Sequence, residues 1–257
     1  MGEWELGVRS TSAAVHDVLR RALAAHLVDP DDDPASPNFS LHVADDAGER
    51  GAKEFHLLHH GTTAVVRTRD LRRLVDGLLG YLSAAVERPD DDTLRLDVLA
   101  LVRDGAAVLA PAGIRPLLPS VERRLNAKGL RVVDRPWSCV DVTTGELVVP
   151  EPELAVDRSA LEPLGRGSRH DGAVPPGRYP VVGWAFGAGR EAQGPISRAL
   201  ALTFAGGRLL DRRTLDPQAA LDRLAAVLGR LHPVGMWVER LEGVVDPLAA
   251  LACSPKA

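Results

Sequence analysis

Residues 94–125, LRLDVLALVRDGAAVLAPAGIRPLLPSVERRL, constrain this chain more than any other stretch. Two apolar runs, LRLDVLALV and AAVLA, flank Arg103-Asp104-Gly105. An Asp-Gly pair between strand-like runs is a strong hairpin signal, because both residues accept the positive φ of a tight turn. A short loop with one glycine, Gly113, follows. It leads into a helix with Leu117, Val121 and Leu125 spaced four apart, and Gly129 stands where a helix C-terminal cap is expected. LRVVD then reads as a short buried strand. A strand–loop–helix–strand unit beside a hairpin calls for a mixed α/β fold.

The flanking segments fit that order. In STSAAVHDVLRRALAAHL, Val15, Val18, Leu19, Ala22 and Leu23 share a face and Ser12 is placed to cap, which predicts a helix. NFSLHVAD, KEFHLLHHG and TTAVVRT read as short antiparallel strands, with turns at Ala47-Gly48 and His60-Gly61. Asp70 caps a second helix whose stripe is Leu71, Leu74, Val75, Leu78 and Leu82. WSCVDV and ELVVP form a hairpin around Thr144-Gly145. Residues 151–179, dense in proline, glycine and charge, read as a long connection. PVVGWAF is a strand and GPISRALALTF a helix. Asp216-Pro217 opens another helix, with Leu221, Leu224, Val227, Leu228 and Leu231 expected inward. VGMWVERL is a last strand, and Asp246-Pro247 starts a short final helix. No internal repeat is present. The expected division is an N-terminal α+β section over residues 1–92 packed on a core over 93–257, in one continuous structural unit.

Composition narrows the function classes. Apolar residues are 45% of the 257, enough for a sizeable core, while aromatics are only 4%, so that core is mostly Leu, Val and Ala. A formal net charge of −4 gives no global drive toward nucleic acid or an anionic membrane. MGEWELGVRS lacks the apolar centre of a signal peptide, and no apolar run approaches the ~20 residues of a membrane span. Cys139 and Cys253 are far apart in sequence. These features lead us to expect a cytoplasmic protein with no cysteine metal site.

From LRLDVLALVRDGAAVLAPAG to LVVPEP, the order of elements resembles the HPr kinase/phosphorylase-like family of P-loop proteins. The resemblance implies an α/β, P-loop kinase-like mixed sheet with flanking helices and an N-terminal antiparallel strand/helix section. The family's loop carries GxxxxGK[ST]. Here Gly113 takes the place of the first glycine and Ser120 that of the terminal hydroxyl, with the spacing kept. Leu118 stands for the second glycine and Pro119 for the lysine. The family's strand histidine falls near Asp97, and its paired acids become Asp134-Arg135.

The substitutions disfavour phosphate. Such loops bind through converging backbone N–H groups at a helix N-terminus, and Pro111, Pro116 and Pro119 have none. One charge-assisted hydrogen bond is worth roughly 1.5–3 kcal/mol, and several are missing together. Gly113, Arg115 and Ser120 therefore form a vestigial loop, with Arg115 as replacement cation, joined by Arg123 or Arg124 if their helix face allows. The expected function is that of a catalytically degenerate HPr-kinase-like protein. It would act as a binding, regulatory or accessory module in a bacterial biosynthetic pathway, with a protein or peptide partner. No catalytic residue, cofactor or metal is expected, nor a nucleic-acid or membrane partner. The alternative is an active phosphotransferase or other enzyme with a rebuilt site, using Asp97, Asp134 and Arg115 on a peptide or small molecule. Homo-oligomer formation is a third expectation.

Other motifs carry less. His56, His59 and His60 sit on a strand and read as solvated or partner-facing. DPDDDP and PDDDT lack the glycine and glutamate of a calcium loop. Ser168, His170 and Asp171 are too close in one loop for triad geometry. Gly183, Gly187 and Gly189 lack the dinucleotide spacing. Trp137, Trp184 and Trp237 read as core or interface residues. Asp97, Asp134 and Asp141 are the acids best placed to meet at one end of the sheet.

Overall fold

A computed structural model of the chain describes residues 6–28, 37–44, 55–86, 92–133, 135–151, 154–165, 174–187, 193–210, 216–236 and 242–253. The chain divides into two compact units, residues 1–87 with 152–170, and residues 88–151 with 171–257.

The first unit is a four-stranded sheet with helices on one face. Strand β1 (Gly7–Ser10) runs parallel to β2 (Pro37–His42), and β3 (His56–His60) and β4 (Thr63–Thr68) continue antiparallel. A parallel neighbour requires a crossover. Helix α1 (Ala13–Ala22) supplies it, capped as expected by Ser12, whose Oγ accepts from the Val15 amide. Helix α2 (Leu71–Val86) starts where Asp70 accepts from the Arg73 amide. The buried faces of α1 and α2 meet Phe39, Leu41 and Leu58 of the sheet. His60 stacks on Phe39 on this helix-covered side. The Ala47-Gly48 turn lies outside the described residues.

The expected connection over 151–179 contains structure. A 3-10 helix, Ser159–Leu164, inserts Leu161 fully into the first unit's core, and its carbonyl accepts from Arg72 at 3.2 Å. Leu154, Val156 and Leu164 pack there too. The surrounding prolines and glycines hide this short apolar pattern in the sequence.

The second unit is built on the hairpin of β6 (Val98–Arg103) and β7 (Ala106–Pro111). Asp104 and Gly105 take φ 49° and 79°, the type I′ geometry that matches strand twist. Beyond β6 lies the short β8 (Arg131–Val132), antiparallel to it. On the other side of β7 lies β11 (Gly177–Gly187), parallel to it, followed by parallel β13 (His232–Met236) and antiparallel β12 (Gly194–Pro195). The first residues of β11 also pair antiparallel with β10 (Glu146–Val149). β9 (Ser138–Asp141) and β5 (Thr93–Leu96) extend that side. The hairpin of β9 and β10 turns at Gly145 as expected.

Alternation along these strands separates two cores. Ala100 and Leu109 face helices α4 (Arg198–Gly206) and α5 (Pro217–Gly229). Leu99, Leu101, Val108 and Ala110 face α3 (Leu118–Ala127) and α6 (Glu242–Ala252). The second unit is therefore three-layered, with helices on both faces of a mixed sheet. Helix α3 ends as its sequence requires. Gly129 at φ 76° lets its own amide reach Asn126 O while the Leu130 amide reaches Leu125 O.

Four local expectations change. Within GPISRALALTF, Gly194–Pro195 is the strand β12 and the helix starts only at Arg198, after the Ser197 cap. LRLDVLALV is two strands, broken at Asp97, because Leu209 bridges Leu96 and the Asp97 amide donates to Arg208 O at 2.7 Å. Leu221 is exposed, and Ala220 takes its inward position with Leu224, Val227 and Leu228. Helix α6 starts before Asp246-Pro247, because Val244 and Val245 are buried in the same core as Leu248 and Leu251.

Candidate functional site

The chain leaves β7 into a 3-10 helix, Ala112–Leu117, that runs directly into α3. The strand-then-helix order is present, but the connection is filled rather than open. Ile114 and Leu118 are buried with Val108 and Ala110, Leu117 is half-buried, and the Leu118 amide is bonded to Arg115 O. Gly113 is exposed, has no positive φ, and a Cβ placed on it would meet nothing within 4 Å. A glycine in a phosphate cradle is there for its backbone angles or for close ligand approach, and at Gly113 this backbone does not call on the first. Ser120 is exposed on α3. Replacing Gly113→Ala should accordingly be neutral or add about 0.4–1 kcal/mol by restricting the unfolded chain. Chemical denaturation of the two proteins side by side measures this, and a clear loss would point to a glycine-dependent turn.

Two of the residues singled out from sequence come together. Arg115 donates to Asp97 at 3.2 Å, to Val98 O at 2.7 Å and to Arg135 O at 3.3 Å. Its side chain is three-quarters buried, so the guanidinium ties the 3-10 helix to the start of β6 and to residue 135. Arg208 approaches the other oxygen of Asp97 at 3.4 Å. Nothing in the sequence pattern marked Arg208. It reaches Asp97 because residues 208–210 run alongside the end of β5.

The expected meeting of acids does not occur between Asp97 and Asp141. Thr93 is opposite Asp141 and Leu96 opposite Ser138, which puts the two aspartates roughly 13 Å apart along the strand. Asp141 is instead the hub of the β9–β10 turn. Its Oδ1 accepts from the amides of Thr143 and Thr144 at 2.8 and 2.9 Å, and Oδ2 pairs with Arg178. Burial pushes its carboxyl up. The Arg178 hydrogen bond and the two turn amides together outweigh this and hold it below the ordinary 3.8. Asp134, Ser168, His170, Asp171, Gly189, Trp237 and the DPDDDP loop lie outside the described residues. Trp184 is fully buried against Phe186, as expected for a core tryptophan.

Topology places a crevice beside the Asp97 cluster. β7 and β11 are adjacent and parallel. The helix after β7 lies in one core and the helix after β11 in the other. Where connections depart to opposite faces of a sheet, a crevice opens at the carboxyl ends of the two strands. A pocket of about 280 Å³ occupies that position, with Pro111 and Gly187 at the strand ends, Phe186 and Phe204 as walls, and Arg208 at its polar side. Its size lies just under the range of ligand pockets. Among the described residues, no three His, Cys, Asp or Glu side chains are grouped as metal ligands, and no helix is long and apolar enough to cross a membrane.

Fold and site together define a two-unit mixed α/β protein with a filled strand-to-helix turn and a small switch-point crevice. Comparison of the chain with protein-family models, curated proteins and solved structures gives no match.

Proposed function

We propose that this chain is a catalytically degenerate HPr-kinase-like protein. In this reading it works as a binding, regulatory or accessory module with a protein or peptide partner, in a bacterial biosynthetic pathway. The supporting observation is the 3-10 helix after β7. Where a P-loop wraps phosphate, this chain turns Ile114 and Leu118 into a core and holds Arg115 on Asp97 and two carbonyls. Prolines in that segment remove donors that a phosphate needs. The binding capacity then falls to other surfaces, the crevice between the ends of β7 and β11 among them.

The competing phosphotransferase reading stands on the Asp97–Arg115–Arg208 cluster. Calorimetric titration with ATP, ADP, GTP and pyrophosphate, with and without magnesium, separates the two. The degenerate reading expects no heat of binding from any of them. Micromolar binding that disappears in Arg115→Ala would replace it with the phosphotransferase reading.

A further inference from the structure

The first unit's sheet has a second face, opposite its helices, and the strand registers fix what it carries. Arg9, Ser40, His59 and Ala64 form one row across β1 to β4, and His42, Leu57 and Arg67 form the next. Phe55, just before β3, lies under the guanidiniums of Arg67 and Arg69, at 4.0 and 4.7 Å from its ring centre. His42 and His59 meet edge to face at 5.3 Å. Thr11, His42, Phe55, Leu57 and His59 line an open trough of about 600 Å³.

Among the described residues, the charge on this face has one sign. Arg9, Arg67 and Arg69 are exposed. Arg9 is hydrogen-bonded to Ser40 Oγ at 2.7 Å, Arg67 and Arg69 rest on Phe55, and none of the three pairs with a carboxylate among the described residues. The acid next in sequence, Asp70, turns away to cap α2. Three arginines gathered with no acid beside them among the described residues, in a chain whose net charge is −4, are segregated charge. β1 and β4 are separated by three strand spacings, so the cations stand about 14 Å apart across the sheet with an apolar and imidazole floor between them.

We infer that this face docks an acidic peptide segment of a partner protein, its carboxylates reaching the arginines at the two sides and an apolar residue resting on Leu57 and Phe55. Arginine clusters recognise acidic motifs through their fixed fork of donors. Resting the guanidiniums on an aromatic ring holds them in place before the partner arrives. A single-stranded nucleic acid fits less well. Such partners stack bases on open aromatic rings, and Phe55 is already covered by arginine. The inference rests on the binding-module reading of the chain but not on the crevice of the second unit. A failure here leaves the nucleotide titration to be judged by itself.

Fluorescence anisotropy on the full chain tests it with three probes: a labelled peptide of repeating Glu-Glu-Leu, its Lys-Lys-Leu counterpart and a labelled oligothymidylate. The acidic peptide should bind, should weaken as salt rises, and the basic one should not bind. The double variant Arg67→Glu/Arg69→Glu should weaken binding about tenfold or more by reversing charge at the contact. Arg9→Gln, on the opposite edge strand, should weaken it by a smaller factor and carries the test if the double variant fails to fold. Arg20→Glu/Arg21→Glu, on α1, should leave binding unchanged. The inference is overturned if the acidic peptide does not bind, if the α1 variant loses as much as the sheet-face variant, or if oligothymidylate binds more tightly than the peptide.

Discussion

Gly183→Ala should destabilise the second unit by about 1–3 kcal/mol, the range for overpacking a well-packed core. Alanine in a strand ordinarily gains about 0.5–1 kcal/mol over glycine, so a loss here reverses the usual sign. The cause is a close approach between β11 and α6. A Cβ on Gly183 would lie 2.4 Å from Leu251 Cγ, with both terminal methyl carbons at 2.8 Å or less. Because Cγ is the branch point of leucine, rotation about Cβ–Cγ leaves it in place, so clearing the contact takes a different rotamer about Cα–Cβ in a packed core, or movement of helix or strand. The register of β11 on β7 shifts between Val181 and Gly183, and the irregularity brings Gly183 to the α6 side while Trp184 returns to the other core. Leu251→Ala alone should cost roughly 2–5 kcal/mol for its lost packing. In the double variant the two losses should not add, since the alanine at 251 makes room for the one at 183. Urea unfolding of the four proteins measures the coupling. Full additivity, or a Gly183→Ala protein as stable as the parent, would contradict this packing.

Asp141→Ala should cost about 2–3 kcal/mol near neutral pH, because two turn amides and Arg178 lose a charged acceptor together. The carboxylate is almost wholly covered while Arg178 is half-exposed, so most of the loss is assigned to the amides rather than to the ion pair. The pH dependence has a definite sign. Asp141 is held below its ordinary value of 3.8 in the fold, so the unfolded chain takes up a proton first as pH falls. Its contribution is complete above the unfolded pKa and is lost as pH drops through the folded one. The stability gap between parent and Asp141→Ala should therefore be constant from neutral pH to about pH 5, then narrow as the solution is acidified further. A gap that stays constant down to pH 2, or widens on acidification, would show that Asp141 is not ionised and bonded in this way.

The opening stretch shows which parts of the fold were legible and which were not. The hairpin at Asp104-Gly105 and the helix stop at Gly129 were readable because each depends on backbone angles that few residues accept. Ser12, Asp70 and Asp216 were readable as caps because each bonds an amide three residues on. The break at Asp97 was not, because the strand ends where residues 208–210 come alongside. Hydropathy gives no sign of that encounter. The start of α6 was missed for a related reason. Asp246-Pro247 has the form of a helix start, and the burial of Val244 and Val245 in the core overrides it.

The candidate site divides along the same line. Asp97 was singled out by its place on a strand and Arg115 by its place in the loop after the next strand, and the fold does bring them to 3.2 Å. Arg208, the aromatic walls of the crevice and the gathering of three arginines on one sheet face were invisible, since each requires elements distant in sequence to converge.

By itself the sequence determined the local chemistry: the turns, the caps, the apolar stripes, and a segment after β7 in which Pro116 and Pro119 offer no backbone donor. These are set by residues within a few positions of one another. Only the tertiary structure decided that this segment would be a 3-10 helix with Ile114 turned inward, followed by a buried Leu118 at the start of α3. It also decided that Gly183 would lie under Leu251, that Asp141 would hold a turn while Asp97 pairs with two arginines, and that three arginines would share one face. Each of those outcomes depends on which distant side chains compete for the same space or the same charge, and spacing along the chain does not encode that.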